Sequence, residues 1–330
     1  GIPGFFYVYN DGINSEGDEM KIKIMMLLTA VLLLTGCSSF REIDISEDGE
    51  TRRITTEDTN EIDIPANPES IVLFRTIDPG NAALLGFDVS GINEGLENNG
   101  TVEDAFGTEV TYLEPGDLES LKEIKPDLIV TYSPDEYFEE YQKIAPSIRI
   151  TYSSGIMSPF SPRAYLTQLY YLGVILNKED EANKIGDEWE AETTVLKREL
   201  NEQADDKQAL VAVEHEDGYL LYNEYMSYGT EAVYDVLGFQ MDESAKNDLQ
   251  ENLFDVKQPE NFNAFETDYI FVNVENTADE ALQQQFSEAL GIPAAHVILL
   301  NRDDYITNDL ISVRKQTEYI VDKVNEAETD

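Results

Sequence analysis

Two blocks of alternating strand and helix patterns, separated by one long helix-forming stretch, restrict this chain more than any other feature. In the first block, residues 70–74, 89–92, 127–132 and 148–152 read as short buried strands. Helix patterns lie between them at 79–86, 117–124 and 135–144, the first closed by Gly86 and the last stopped by Pro146. Such alternation predicts an α/β lobe with a mainly parallel sheet. From Pro162 to about Gln203 nearly every residue favours helix, with one break allowed at Gly173 or at the Asn177–Lys178 turn. The part after the break would extend roughly 40 Å at about 1.5 Å per residue. Trp189, Val195, Leu196 and Leu200 mark its expected buried stripe. No heptad repeat is sustained there, which predicts a strut within the molecule rather than a coiled-coil arm.

After Lys207 the alternation returns. Strands are predicted at 209–213, 269–272 and 297–300, a hairpin arm at 218–222, and helices at 229–237, 278–290 and 310–324. The halves echo each other: Leu85-Gly86-Phe87 closes a helix in one and Leu237-Gly238-Phe239 in the other. Glu119 precedes Asp127, and Glu260 precedes Asp268, by the same interval, and each aspartate opens an apolar strand. A repeat of whole lobes is expected when a ligand is held between two similar domains. The predicted fold class is therefore α/β, with two Rossmann-like lobes at 54–161 and 207–330 joined by a single long rigid helix within 162–206.

The region before the first lobe has a different character. Met20, Lys21 and Lys23 open a stretch whose residues 24–34 are apolar except Thr29, too short to span a membrane. Leu34-Thr35-Gly36-Cys37 follows at once and resembles the lipobox of bacterial lipoproteins. That resemblance implies a signal peptide at 20–36, cleavage before Cys37 and lipidation of its thiol. Residues 1–19 are expected to be an upstream, non-native extension, and 37–53 a lipidated tether. Cys37 is the sole cysteine, so a lipidated chain has no thiol left for a disulfide or a metal.

With 67 acidic against 22 basic residues, the formal net charge is −45, which repels nucleic acid and anionic headgroups. Only two histidines, His215 and His296, are present and they lie far apart, so a site for bare zinc or manganese is not expected. Neither a G-x-S-x-G elbow nor a phosphate loop occurs, and no enzymatic activity is predicted.

Several segments resemble one family. Residues 64–72 (IPANPESIV), 118–130 (LESLKEIKPDLIV) and 141–146 (YQKIAP), together with Tyr171-Leu172-Gly173 through Lys178-Glu179 to Trp189, are similar to iron–siderophore substrate-binding lipoproteins of ATP-driven importers. The similarity runs from about Ile62 to Val324. It implies a class III periplasmic-binding-protein-like fold that closes little on its ligand. It also implies an Fe(III)–siderophore as ligand, no cofactor, and an ABC importer permease with its ATPase as partners. A monomer is expected, held to the membrane by lipid alone on the extracytoplasmic face of a Gram-positive cell. Other iron chelates (ferric catecholate, ferric citrate), a corrinoid such as cobalamin, or a surface sensor without transport remain alternative readings.

The candidate contacts follow from strand ends and from this resemblance. Tyr132 and Tyr152 stand just past strands, at the edge where α/β sheets bind ligands. Both match aromatic contacts in the family's hydroxamate-binding branch. A phenol offers an apolar face and a hydrogen-bonding tip together. Tyr225 and Tyr228, before the helix at Gly229, and Tyr305, after the last strand, are the second-lobe candidates, and Arg75 is placed to meet ligand oxygens. Hydroxamate binders often carry a tryptophan and an arginine near the segment that matches Met226-Ser227-Tyr228, and this chain has neither there. A trianionic catecholate would need clustered cations, in which the chain is poor, so neutral or cationic ferric hydroxamates rank first. Glu119 and Glu260 match the family's paired permease-docking glutamates.

Overall fold

The computed structural model describes residues 41–45, 49–55, 61–107, 109–151, 164–200, 206–224, 226–252 and 255–329. The chain divides into two compact units, Gly1–Arg41 and Glu42–Asp330, and the second carries the fold described below. Residues 1–36 with the expected signal, and Cys37, lie outside the described residues, as do Tyr152 and Tyr225. Among the described residues no helix is long and apolar enough to cross a membrane.

A three-stranded sheet of β1 (Arg41–Ile45), β2 (Thr51–Thr55) and β3 (Ile62–Pro65) comes first. The sequence reading assigned 37–53 to a tether, yet strands begin within it. Strand alternation turns Arg52 and Ile54 inward, and Arg52 is 2% exposed. Its Nη1 donates to Val174 O at 2.6 Å, satisfying a carbonyl at a helix C-terminus.

The first lobe is built on β4 (Ile71–Leu73), β5 (Gly91–Asn93), β6 (Thr111–Leu113), β7 (Leu128–Ser133) and β8 (Ser147–Thr151). Their order is β6-β5-β4-β7-β8, and every pairing is parallel. A parallel sheet covered on both faces wants unbroken apolar runs, and residues 71–73 and 128–130 are all fully buried. Helices α1 (Asp78–Leu84), α2 (Gly100–Phe106), α3 (Leu118–Ile124) and α4 (Phe138–Tyr141) connect the strands. The sequence reading missed α2 and β6. The Asn98-Asn99-Gly100 run looks like a loop, but Asn99 caps α2 by accepting from Val102 N at 3.0 Å. The helix expected at 135–144 shrinks to α4, because the chain tightens into a turn ahead of Pro146, with Lys143 N bonding Glu140 O at 3.1 Å.

Two helices make the crossover. α5 (Ala164–Ile175) packs on α1, and α6 (Glu179–Leu200) is the long connecting helix; the break between them falls at Asn177, whose φ is 58°. At 22 residues, α6 is roughly 33 Å long. Its buried face is Trp189, Thr193, Leu196 and Leu200. Val195, expected in that stripe, is 49% exposed, because the i, i+4, i+7 positions from Trp189 fall on Thr193 and Leu196 instead.

The second lobe's sheet has the order β11 (Val256–Lys257), β10 (Gly218–Tyr222), β9 (Ala209–His215), β12 (Tyr269–Val274) and β13 (Val297–Asn301). β9, β12 and β13 run parallel, while the β10 hairpin arm is antiparallel to both of its neighbours, β9 and β11. A single π-helical turn, Glu231–Val236, occupies the helix expected at 229–237. The remaining helices are α7 (Glu243–Asn252), α8 (Glu280–Leu290), the short α9 (Arg302–Tyr305) and the terminal α10 (Leu310–Ala327), with a 3-10 turn at Pro259–Ala264.

The repeat seen in the sequence has a structural basis. Asp127 accepts from Glu69 N and Ser70 N at 2.7 and 3.1 Å, pinning the start of β4. Asp268 accepts from Gln208 N at 2.9 Å, pinning the start of β9. Gly86 and Gly238 close their helical turns with φ of 80° and 86°, a conformation that glycine alone adopts freely.

Candidate functional site

In the first lobe the strand order reverses between β4 and β7, and the crevice beyond such a switch point is where α/β sheets bind ligands. Phe74, Arg75 and Thr76 leave β4 there, and Tyr132 is the penultimate residue of β7. The Tyr132 phenol oxygen accepts from Thr76 N at 3.1 Å and shares a hydrogen bond with Thr76 Oγ1 at 3.0 Å. Arg75 lies over the Tyr132 ring at 5.8 Å, so these two candidates are brought together. Arg75 itself is fully buried. Its Nη1 stands 3.5 Å from Asp78 Oδ1, and its Nη2 donates to Gln168. In this arrangement its charge is met within the protein rather than offered to the crevice.

The second wall is formed around Tyr228, which is half-buried and meets the Tyr222 ring edge-on at 5.0 Å. Ser227, Tyr228 and Gly229 have φ of 64°, 56° and 86°. Left-handed backbone at side-chain-bearing residues costs about 1–3 kcal/mol each and persists only where the surroundings enforce it. Here Tyr228 N donates to Tyr305 O at 2.7 Å, and Asn273 Nδ2 donates to Tyr228 O at 3.0 Å. Burial raises the Tyr228 phenol above its usual range, with Arg302 opposing and Asp303 adding to the rise. Tyr305 is 5% exposed, and its ring fills the space beside Gly229, where a Cβ would come within 2.9 Å. It borders a cavity of about 440 Å³ at the lobe junction with Thr101, Asp104, Lys315 and Tyr319. Thus Tyr228 and Tyr305 adjoin, with Tyr305 packed behind the turn.

Arg302, Glu214 and Glu275 were not foreseen. They gather at the C-terminal edge of β9, β12 and β13, where Arg302 Nη2 donates to Glu275 Oε1 at 2.6 Å and its Nη1 stands 3.9 Å from Glu214 Oε2. The signal was the one used for Arg75, an arginine directly after an apolar strand. Among the described residues no group of three His, Cys, Asp or Glu side chains is arranged to hold a metal ion.

Behind both walls runs a buried polar seam between the lobes. Leu310 N donates to Asn81 Oδ1 at 3.1 Å, Thr307 Oγ1 to Thr76 O at 2.9 Å, and Asn99 Nδ2 to Asp303 O at 2.8 Å. Asp309 caps α10 through Ser312 N at 3.0 Å and presses on Gly80, where a Cβ would fall 1.9 Å from its Oδ1. Burial raises the Asp309 and Glu231 carboxyls. It pushes Asp78 up to about 6, with Arg75 opposing and Asp309 adding to the rise.

Glu119 and Glu260 are both exposed, each in the first turn of the short helix that feeds β7 or β12. A helix that feeds a parallel strand runs back along it, so its N-terminal turn lies toward the strands' C-terminal edge. Gln285 Nε2 donates to Glu260 Oε1 at 3.4 Å.

Two α/β lobes bridged by helices, with aromatic side chains at the crevice edge, define a solute-binding architecture. The chain belongs to the periplasmic binding protein family, whose model matches residues 96–296, across both lobes and the crossover. Among solved structures it is similar to FhuD2 from Staphylococcus aureus with bound ferrioxamine B, at 23% identity over 79% of this chain and 99% of that one, TM-score 0.68. It is also similar to a periplasmic binding protein component of a Fep/Fec-like ferrichrome ABC transporter from Bacillus subtilis, at 19% identity over 82% and 99%, TM-score 0.70. The triscatecholate siderophore binding protein FeuA from Bacillus subtilis, complexed with ferri-bacillibactin, matches at 18% identity over 83% and 98%, TM-score 0.64. No curated protein sequence matches the chain.

Proposed function

We propose that this protein captures an Fe(III)–siderophore of the hydroxamate type between its lobes and delivers it to an ABC importer. The observation that carries the reading is the pair of phenol-bearing walls, Tyr132 near the end of β7 and Tyr228 in its left-handed turn, in a periplasmic-binding-protein fold. The charge balance supports a neutral or cationic ligand. Arg75 is buried against Asp78, and Arg302 is held by Glu275, so neither brings a free positive charge to a trianionic chelate. The ferrioxamine B bound by the staphylococcal FhuD2 is consistent with this choice. In this proposal Tyr152 and Tyr225 complete the aromatic lining, Cys37 carries the lipid anchor at the extracytoplasmic face, and Glu119 and Glu260 dock the permease. Calorimetric titration with ferrioxamine B, ferrichrome, a ferric enterobactin-type complex and ferric citrate tests it. Tight binding of a hydroxamate is expected; tight binding only of the catecholate overturns the ligand class, and binding of none overturns the siderophore reading.

A further inference from the structure

The seam contains a chain of buried polar groups that joins the two walls. From Tyr132 it passes to Thr76, and Thr76 O accepts from Thr307 Oγ1 at 2.9 Å. The next residue, Asn308, donates from Nδ2 to Glu231 Oε1 at 2.6 Å. The same carboxylate oxygen accepts from Ser227 N at 3.2 Å. Thr230 Oγ1 bonds Glu231 Oε2 at 3.1 Å and Ser227 O at 2.8 Å, and it accepts from Met226 N at 2.8 Å. Thr307, Asn308 and Glu231 are exposed by 1%, 4% and 2%. A buried carboxylate therefore stands behind a turn whose backbone side chains disfavour, and the turn carries Tyr228.

We infer that Glu231 and Asn308 are positioning residues: Glu231 holds the left-handed Ser227–Tyr228 turn, and Asn308 locks that turn, through Thr307 and Thr76, to Tyr132 on the other lobe. The two aromatic walls are then set as one unit. This rests on the reading above, in which Tyr132 and Tyr228 face the ligand. Isolated left-handed residues relax unless something outside the turn bonds their amides, and a carboxylate accepting Ser227 N does so with a charge-assisted bond. A glutamate at this depth is costly to bury, and ordinary core packing would be served as well by an apolar side chain. Its fit is explained by the donors converging on it from the turn and from Asn308, whose neighbour Thr307 bonds the other lobe.

The test is calorimetric titration of the full chain with ferrioxamine B, beside thermal melting of each variant. Glu231→Gln keeps an acceptor for Ser227 N and Asn308 Nδ2, and its amide can donate to Thr230 Oγ1, so its affinity should stay within about threefold of the original. Glu231→Ala and Asn308→Ala should each weaken binding about tenfold or more. In a Tyr228→Ala background the same changes should add little, because residues acting through one partner are not additive. If Glu231→Ala does not fold, Asn308→Ala and the Tyr228→Ala/Asn308→Ala pair decide alone. Unchanged affinity in Asn308→Ala with only a lower melting temperature would reduce these residues to structural support and overturn the inference, as would full additivity with Tyr228→Ala. Failure of the unaltered protein to bind any ferric siderophore would show on a separate arm, and would remove the siderophore reading and this inference together.

Discussion

Arg75 and Asp78 form a fully buried pair inside the first lobe, and replacing Arg75 with methionine tests how it is balanced. The substitution leaves the Asp78 carboxylate buried without its counter-charge. Breaking a buried pair in this way costs about 3–5 kcal/mol. Asp78 already sits at about 6 with Arg75 present, a rise from 3.8 that corresponds to roughly 3 kcal/mol at about 1.36 kcal/mol per unit. Because the folded value is raised, the native state binds the proton more tightly than the unfolded chain does. Asp78 thus favours folding at acid pH, and that contribution is lost as pH rises from about 4 through 6. Removing Arg75 removes the cause that lowers this value, so it climbs further and the penalty becomes pH-dependent. At pH 7.5 the variant should be less stable by about 3–5 kcal/mol. At pH 5 the carboxyl is protonated, and what remains is the bond lost to Gln168, about 1–2 kcal/mol. Adding Asp78→Asn should restore most of the loss at pH 7.5. Urea unfolding followed by circular dichroism at both pH values measures these differences. Equal destabilisation at pH 5 and pH 7.5, or a double variant no better than the single one, would refute the account.

Gly80→Ala places a Cβ 1.9 Å from Asp309 Oδ1, so the seam must open or the α10 cap must turn away; a loss of about 1–3 kcal/mol is expected, and an unchanged melting curve would show that the lobes do not meet as described. Glu119→Ala and Glu260→Ala should leave ferric siderophore affinity intact while cellular iron uptake falls, with the double variant nearly inactive; full uptake by the double variant would exclude a docking role. Cys37→Ala should shed folded protein into the medium, and a processed variant that stays on the membrane would contradict lipid anchorage.

The architecture was legible where burial is continuous. Residues 71–73, 128–130, 209–213 and 269–272 are apolar because they are covered on both faces, and each is a strand near its expected bounds. The Asp127 and Asp268 echoes were legible because strand-start clamps are local. What escaped notice depends on distant partners. α2 is held by Asn99, whose Nδ2 bonds Asp303 two hundred residues away, and nothing in its own composition announces a helix. The same limit applies to the site. Tyr132 and Tyr228 could be proposed from strand and helix ends. That Arg75 would be neutralised by Asp78, or that Tyr305 would pack behind Gly229, follows only from tertiary neighbours. Glu231 and Asn308 read as ordinary polar residues until the fold of the second lobe brings them together across 77 positions of sequence.

The terminal helix α10 packs against α1, α5 and α6 as well as the π-helical turn, with Leu310, Val313, Ile320 and Val324 fully buried. The piece that closes this face thus leaves the ribosome only after the strands of both lobes have done so. Until it arrives, the earlier part of the chain carries an unfinished face on α1 where Asn81 lacks its partner Leu310 N. A product truncated before residue 310 would keep most of its strands yet expose that face, and so would be recognisable to proteases as incomplete.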